Sequence, residues 1–172
     1  MPVRRLLAVL AALMTFGGLF GRPAAAPAQA APLEAPPAAV DVTAAEAQFL
    51  ELLNADRAAH ELPPLQVDAR LMEVARWRSE DMLARNYFSH DLGGFTIGRV
   101  LRQRQISFVL AGENLTINTY DDAQTVAMAQ ADLMDSAPHR ANILRPEFNL
   151  VGVGIATGPD RRTVYTQVFV QG

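Results

Sequence analysis

Three separated motifs hold the side chains able to do chemistry in this chain: Tyr87-Phe88-Ser89-His90, Gly112-Glu113-Asn114 and His139-Arg140-Ala141-Asn142-Ile143-Leu144. Two imidazoles and a carboxylate are the ligand types of an open zinc site, and also groups that accept and deliver protons. A fold that gathers them makes a polar cleft able to bind a cation or move a proton. The spacings are 113 − 90 = 23 and 139 − 113 = 26 residues, so the fold must do the gathering.

Each residue also has a plainer reading. A single loop histidine most often bonds a backbone carbonyl, and His90 taken alone invites that assignment. Glu113 follows Val109-Leu110-Ala111 and sits between Gly112 and Asn114, so its backbone is expected inside. A carboxylate there needs a cation or hydrogen-bond donors. Two roles stay open for it: an acid–base group or metal ligand, or an acceptor for backbone amides. Pro138 favours the first turn of a helix and so fixes the direction of His139. Arg140 is expected to reach a carboxylate and Asn142 to tie down a neighbouring loop. Ser89 and Asn114 flank the candidate histidine and glutamate as further cleft supports. His60, between a helix end and Pro63, reads as an exposed terminator outside the site.

Several chemistries are without support. There is no HExxH zinc helix, no glycine-rich phosphate loop and no G-x-S-x-G nucleophile elbow. The chain has no cysteine, which removes thiolate nucleophiles, thiolate metal ligands, disulfides and a lipidated cysteine. All 15 basic residues are arginine, so lysine Schiff-base and lysine general-base chemistry are excluded.

Residues 1–30 read as a signal peptide: Arg4-Arg5, an apolar run from Leu6 to Phe20, and Ala28-Gln29-Ala30 as the cleavage site. The run falls short of the ~20 residues that span a bilayer, so no stable membrane span is expected after cleavage. Residues 31–42, with Pro32, Pro36 and Pro37, read as a disordered Ala/Pro-rich leader. Residues 43–172 then form one domain, secreted or periplasmic and expected to be a monomer. Cleavage removes Arg4, Arg5 and Arg22 but no acid, so the net charge becomes 12 − 18 = −6. A domain this acidic is no general nucleic-acid binder.

Thr43-Ala44-Ala45-Glu46 has the form of a capping box, and Phe49, Leu52 and Leu53 follow at helical spacing, which predicts a helix over 44–59. Asp68 is an N-cap for a second helix over 69–85, with Leu71, Val74, Ala75 and Met82 inward and Arg70, Arg76 and Glu80 outward. Thr96 caps a short third helix carrying Val100 and Leu101. Asp121 or Asp122 starts a fourth with Val126, Ala129 and Leu133 inward, and 137–144 makes one or two short turns. Ile106–Leu110 is a strand or a packed loop. Leu150–Ala156 and Thr163–Val170 flank Gly158-Pro159-Asp160 and predict an antiparallel hairpin. Helices first and strands last is the order of an α+β domain with helices on an antiparallel sheet.

From Phe49 to its end the chain resembles bacterial members of the CAP superfamily, the cysteine-rich secretory, antigen 5 and pathogenesis-related proteins. The resemblance rests on an ordered set of motifs. Leu52-Leu53-Asn54-Ala55-Asp56-Arg57 and Leu62-Pro63-Pro64-Leu65 come first, then the three motifs above, then Val151-Gly152-Val153-Gly154 and Tyr165-Thr166-Gln167-Val168-Phe169. It implies a three-layer α-β-α sandwich with a central antiparallel sheet and a large surface cleft. In animal and plant relatives the cleft holds two histidines and two glutamates able to bind a divalent cation, and His90 and Glu113 match the first of each. The others do not match: Asp135-Ser136 stands near the second glutamate, and Val164 stands where those relatives have histidine. His139 belongs to the bacterial form of the motif, which leaves a triad of His90, Glu113 and His139 as the expected site.

Three functions follow from this. The cleft binds a divalent cation (zinc or calcium), a small envelope ligand such as a lipid or glycan, or a protein partner, without catalysis. Alternatively Glu113 is the general base of a metal-dependent, peptidase-like hydrolase. In the third, the three residues only pin the loops around the cleft, in a structural and protein-interaction role. Binding is preferred, because no nucleophile is evident and the four-residue set is incomplete.

Overall fold

A computed structural model describes residues 43–94, 96–119 and 125–172. The expected signal peptide, leader and start of the fourth helix at Asp121 or Asp122 lie outside the described residues. The first helix, α1 (Ala44–Ala59), begins at the expected capping box. Glu46 N–H donates to Thr43 Oγ1 at 3.2 Å and Thr43 N–H donates to Glu46 Oε2 at 3.0 Å. The same glutamate is buried and receives Arg76 Nε and Nη2 at 2.7 and 2.6 Å. The residue that caps α1 therefore also ties it to the second helix, α2 (Ala69–Ala84). Burial alone would raise the Glu46 pKa, but the bonds from Arg76 and Thr43 and the Arg76 charge together hold the carboxyl below its ordinary value. Asp68 caps α2 as expected, accepting from the N–H groups of Arg70 and Leu71.

The remaining elements are β1 (Gln66–Val67), α3 (Ile97–Gln103), β2 (Leu110–Asn118), α4 (Thr125–Asp135), α5 (Ala137–Ile143), β3 (Leu150–Thr157) and β4 (Thr163–Gln171). The sheet order is β1-β3-β4-β2. The expected hairpin is present, with β3 and β4 antiparallel from Leu150↔Val170 to Thr157↔Thr163. β2 lies antiparallel on the other side of β4, and the two-residue β1 adds a parallel edge to β3. Residues 106–109 are a packed loop rather than a strand. Ile106 is buried against α3, and sheet pairing starts only at Leu110, opposite Gln171.

Helices cover both faces of the sheet, as the three-layer expectation requires. On one face Phe49 and Leu53 of α1, Ala129 and Leu133 of α4 and Ile143 of α5 meet Val151, Val153, Tyr165 and Phe169. On the other, Leu71, Val74 and Ala75 of α2 and Val100 and Leu101 of α3 meet Val168 and Val170. β4 is buried along nearly its whole length because it is a central strand with both faces covered. Among the described residues β2 is an edge strand, paired with β4 alone.

Candidate functional site

The alternation of β2 distributes the site. Successive strand residues point to opposite faces, so Glu113 turns toward α2 while Asn114 turns toward α4 and α5. Glu113 meets Arg78, whose side chain has no exposed surface, with Nε–Oε1 at 2.7 Å and Nη2–Oε2 at 3.3 Å. Two further guanidinium hydrogens are also used. Nη1 donates to the Tyr87 hydroxyl at 2.8 Å and Nη2 to the Ser89 carbonyl at 2.8 Å. Burial works to lower the Arg78 pKa, but Glu113 and, to a smaller degree, Tyr87 together raise it.

This buried pair shapes the loop that carries His90. α2 ends at Arg85, and Asn86 turns the chain at φ +52°, a left-handed conformation that asparagine tolerates. Tyr87 then reaches back, its hydroxyl donating to Asp81 at 2.5 Å while accepting from Arg78. The Ser89 carbonyl is held by Arg78, and the next residue, His90, places Nδ1 2.9 Å from Glu113 Oε2. An ionised Glu113 can only accept, so Nδ1 carries the hydrogen, and in the neutral ring Nε2 then holds the lone pair. The His90 side chain is 58% exposed, so the ring is open to solvent while Nδ1 is held by Glu113.

His139 comes from the opposite layer. Pro138 lies in the first turn of α5, as expected, and the Asn114 amide donates to the His139 carbonyl at 3.0 Å. The two rings stand 6.4 Å apart between centroids, tilted by 50°. Burial, and then the charge of His90, hold the His139 pKa below its ordinary value of 6.5. Both effects favour the neutral ring of His139. Because its folded pKa is depressed, acid favours the unfolded chain: this stability term is intact above the unfolded pKa and is lost as pH falls through the folded one. In an NMR titration His139 is expected to titrate below a free histidine. His90→Ala should return it only part of the way, since burial remains; a full return would show that burial contributes nothing.

The fold thus brings His90, Glu113 and His139 together, but not as three equivalent groups. Both Glu113 oxygens are engaged, and among the described residues no set of three histidine, aspartate, glutamate or cysteine side chains is placed to share one metal ion. The donors open to a ligand are two imidazoles. Val164 is buried with Met82 and Leu115, and Asp135 is exposed at the end of α4, so the two missing groups of the animal and plant set are not replaced here. Among the described residues, the groups present do not fit a resident four-residue metal site. Arg140 does not reach a carboxylate: it is exposed and donates Nη1 to the Met134 carbonyl at 2.7 Å, capping the end of α4. Asn142 does tie, but to a strand, donating to Asn114 Oδ1 at 2.9 Å and the Glu113 carbonyl at 3.4 Å. His60 stands apart as the exposed C-cap of α1.

Sequence reasoning missed Arg78, the cation that Glu113 requires. A signal was present: position 78 continues the inward series Leu71, Val74, Ala75, Met82 at helical spacing, and an arginine in that series needs a buried acceptor. It also missed Gln130 and Gln167, both buried beneath the site.

The model for the cysteine-rich secretory protein family, CAP, matches residues 50–171. The chain belongs to the CAP family. A curated relative, the uncharacterized protein YkwD of Bacillus subtilis (strain 168), is 36% identical over 132 residues, covering 75% of this chain and 48% of its own. The uncharacterized membrane protein YlbC of the same organism is 35% identical, with 75% of this chain and 35% of that protein covered. This CAP chain therefore spans half or less of the length of the curated relatives it matches. Among solved structures, an extracellular SCP-domain protein of Bacillus anthracis is 34% identical with a TM-score of 0.62, covering 74% of this chain and 40% of that one. An outer surface protein of Borrelia burgdorferi is similar in fold alone, at 17% identity and a TM-score of 0.69, with 77% and 96% covered. No helix among the described residues is long and apolar enough to cross a membrane.

Proposed function

We propose that this chain is an exported bacterial CAP domain whose cleft binds a divalent cation, or a small envelope ligand such as a lipid or glycan headgroup, without transforming it. One observation carries this reading: Glu113 is committed on both oxygens to Arg78 and His90, so it supports the cleft instead of serving as a free base or ligand. What the cleft offers is a pair of imidazoles, one exposed with Nε2 free and one held neutral. Imidazole suits zinc far better than calcium, which takes oxygen ligands. A zinc–imidazole bond of about 2.0–2.1 Å draws two rings closer than their present spacing, so binding needs a small ring rotation, which the exposed His90 permits. Water or a ligand oxygen completes the coordination. Export rests on the sequence pattern of residues 1–30 and agrees with the extracellular SCP-domain relative.

Calorimetric titration of the mature domain with zinc, beside a His90→Ala/His139→Ala variant, tests the cation. Heat in the first and none in the second is the expected result. Silence in both removes the cation and leaves the lipid or glycan arm, read by the same titration with isolated envelope lipids and glycans. Hydrolysis of a peptide or ester library that disappears in a folded Glu113→Gln variant would replace binding with catalysis.

A further inference from the structure

The side-chain amides beneath the cleft form one hydrogen-bonded chain with a single direction. Asn142 Nδ2 donates to Asn114 Oδ1 at 2.9 Å, and Asn114 Nδ2 donates to Gln167 Oε1 at 3.1 Å as well as to the His139 carbonyl. Gln167 Nε2 donates to Gln130 Oε1 at 2.7 Å, and Gln130 Nε2 to Asp56 Oδ2 at 2.6 Å. Asn114, Gln130 and Gln167 are buried. The chain runs from α5 through β2, β4 and α4 to Asp56 on α1, so it passes under the cleft through the α1–α4–α5 side of the core.

A side-chain amide presents a donor on one side and an acceptor on the other, and turning it over exchanges them. A row of amides accordingly has two opposite directions. An ionised carboxylate only accepts, so Asp56 selects one of them. In that direction Asn114 turns its NH₂ to the His139 carbonyl. In the other, Asn114 Oδ1 faces that carbonyl, two acceptors oppose each other at 3.0 Å, and the first turn of α5 is pushed away from β2. Buried amides cannot turn to water for relief, and an unmet polar group there is costly.

We infer that Asp56 is a positioning residue for the cleft, acting through Gln130, Gln167 and Asn114 to fix where His139 stands. The inference rests on the proposed binding role only for why the place of His139 matters.

NMR of the mature domain with labelled histidine and asparagine reads it directly, with zinc affinity as a second measurement. In Asp56→Ala the Asn114 side-chain amide and the His139 ring signals are expected to move, and zinc binding to weaken about tenfold, as for other groups that orient a ligand. Asp56→Asn keeps an acceptor and should restore both. In a Gln130→Met background Asp56→Ala should move neither signal further, because the link is already cut. The inference is overturned by Asn114 and His139 signals that stay in place in Asp56→Ala. It is equally overturned by signals that move as far with Gln130→Met as without it, since the effect then travels by the direct α1–α5 contact. Should Asp56→Ala fail to fold, an exchange answers the question. Gln130→Glu sets two carboxylates face to face, whereas Asp56→Asn/Gln130→Glu lets the new amide donate to a carboxylate that still accepts from Gln167. Native His139 signals in the double variant support the relay, and their absence overturns it. Zinc silence in the unaltered domain would remove only the cation from the proposed function, while the ring signals still decide the role of Asp56.

Discussion

Arg78→Met is expected to destabilise the domain by about 3–5 kcal/mol, the cost of leaving one partner of a buried ion pair uncompensated. Set against a typical folding stability of about 5–15 kcal/mol, that is enough to lower the urea midpoint severely or to prevent folding. The geometry explains the size. Among the described residues Arg78 is the only cation on Glu113 besides a protonated His90, and it also supplies the donors for the Tyr87 hydroxyl and the Ser89 carbonyl. Methionine fills much of the volume but donates nothing, so Glu113 keeps only His90, the Tyr87 hydroxyl loses one of its donors, and the Ser89 carbonyl loses the guanidinium that held it. Arg78→Met/Glu113→Leu should recover a large part of the loss, because removing both charges removes the desolvation problem as well. Urea unfolding of the four proteins in that cycle measures it. Two single effects that simply add would mean the pair is not coupled, and this account of Glu113 would be wrong.

The same pair determines what His90 can do. With Arg78 engaging Glu113, the carboxylate accepts Nδ1–H of His90, which favours the ring tautomer that leaves Nε2 as the acceptor. In the proposed binding role, His90 would depend on a buried arginine outside the site's exposed side. The neighbouring arginine, Arg76, does analogous work one helical face away by joining the capping glutamate of α1. α2 thus sends one guanidinium to each of two layers, and both receive it through a single buried glutamate.

Much of this was legible in the sequence because it is local. The capping box at Thr43 and Glu46, the cap at Asp68 and the hairpin around Gly158 to Asp160 are decided by short-range chemistry, and each element forms as the pattern predicts. The resemblance supplied the three layers and brought His90, Glu113 and His139 to one cleft. What remained hidden depends on partners far apart in the chain. Arg78 and Glu113 are separated by 35 residues and Gln130 and Asp56 by 74, and no periodicity reports a side-chain pairing across such a distance. β2 was missed as a strand because Gly112-Glu113-Asn114 interrupts its apolar pattern, and strand propensity alone undervalues those residues. Their polarity is met by tertiary partners on either side of the sheet: Arg78 on one, Gln167 and α5 on the other. Arg57 was hidden for the same reason. It reads as a polar residue near the end of α1, yet it is buried and donates to the carbonyls of Pro63, Ile143 and Arg145 at 2.8–3.0 Å.

The second large effect is expected at two glycines that contain no chemistry. α2 crosses the sheet at Gly152 and Gly154 of β3, where its backbone takes the room that side chains would occupy. A methyl group added at Gly152 would lie 2.1 Å from the carbonyl carbon of Leu71, and one at Gly154 would lie 2.2 Å from that of Ala75. Both obstacles are helix backbone, which cannot swing aside as a side chain does. The whole of α2 must lift, and with it Arg78 and the Ser79 hydroxyl that donates to the Gly154 carbonyl at 3.0 Å. Overpacking commonly costs about 1–3 kcal/mol where side chains can rearrange. Gly152→Ala and Gly154→Ala are expected at or above the top of that range. Gly112→Ala is the comparison: its methyl would meet the Phe148 ring at 3.0 Å, a lesser overlap and with a side chain instead of helix backbone, so a smaller loss of about 1 kcal/mol is expected there. Thermal and urea unfolding of the three variants should rank them in that order. Because lifting α2 withdraws Arg78 from Glu113, the folded fraction of Gly154→Ala should also show a displaced His90 ring signal, whereas Gly112→Ala should retain the native one. Equal losses at all three positions would mean that the close approach of α2 to the sheet does not limit the fold.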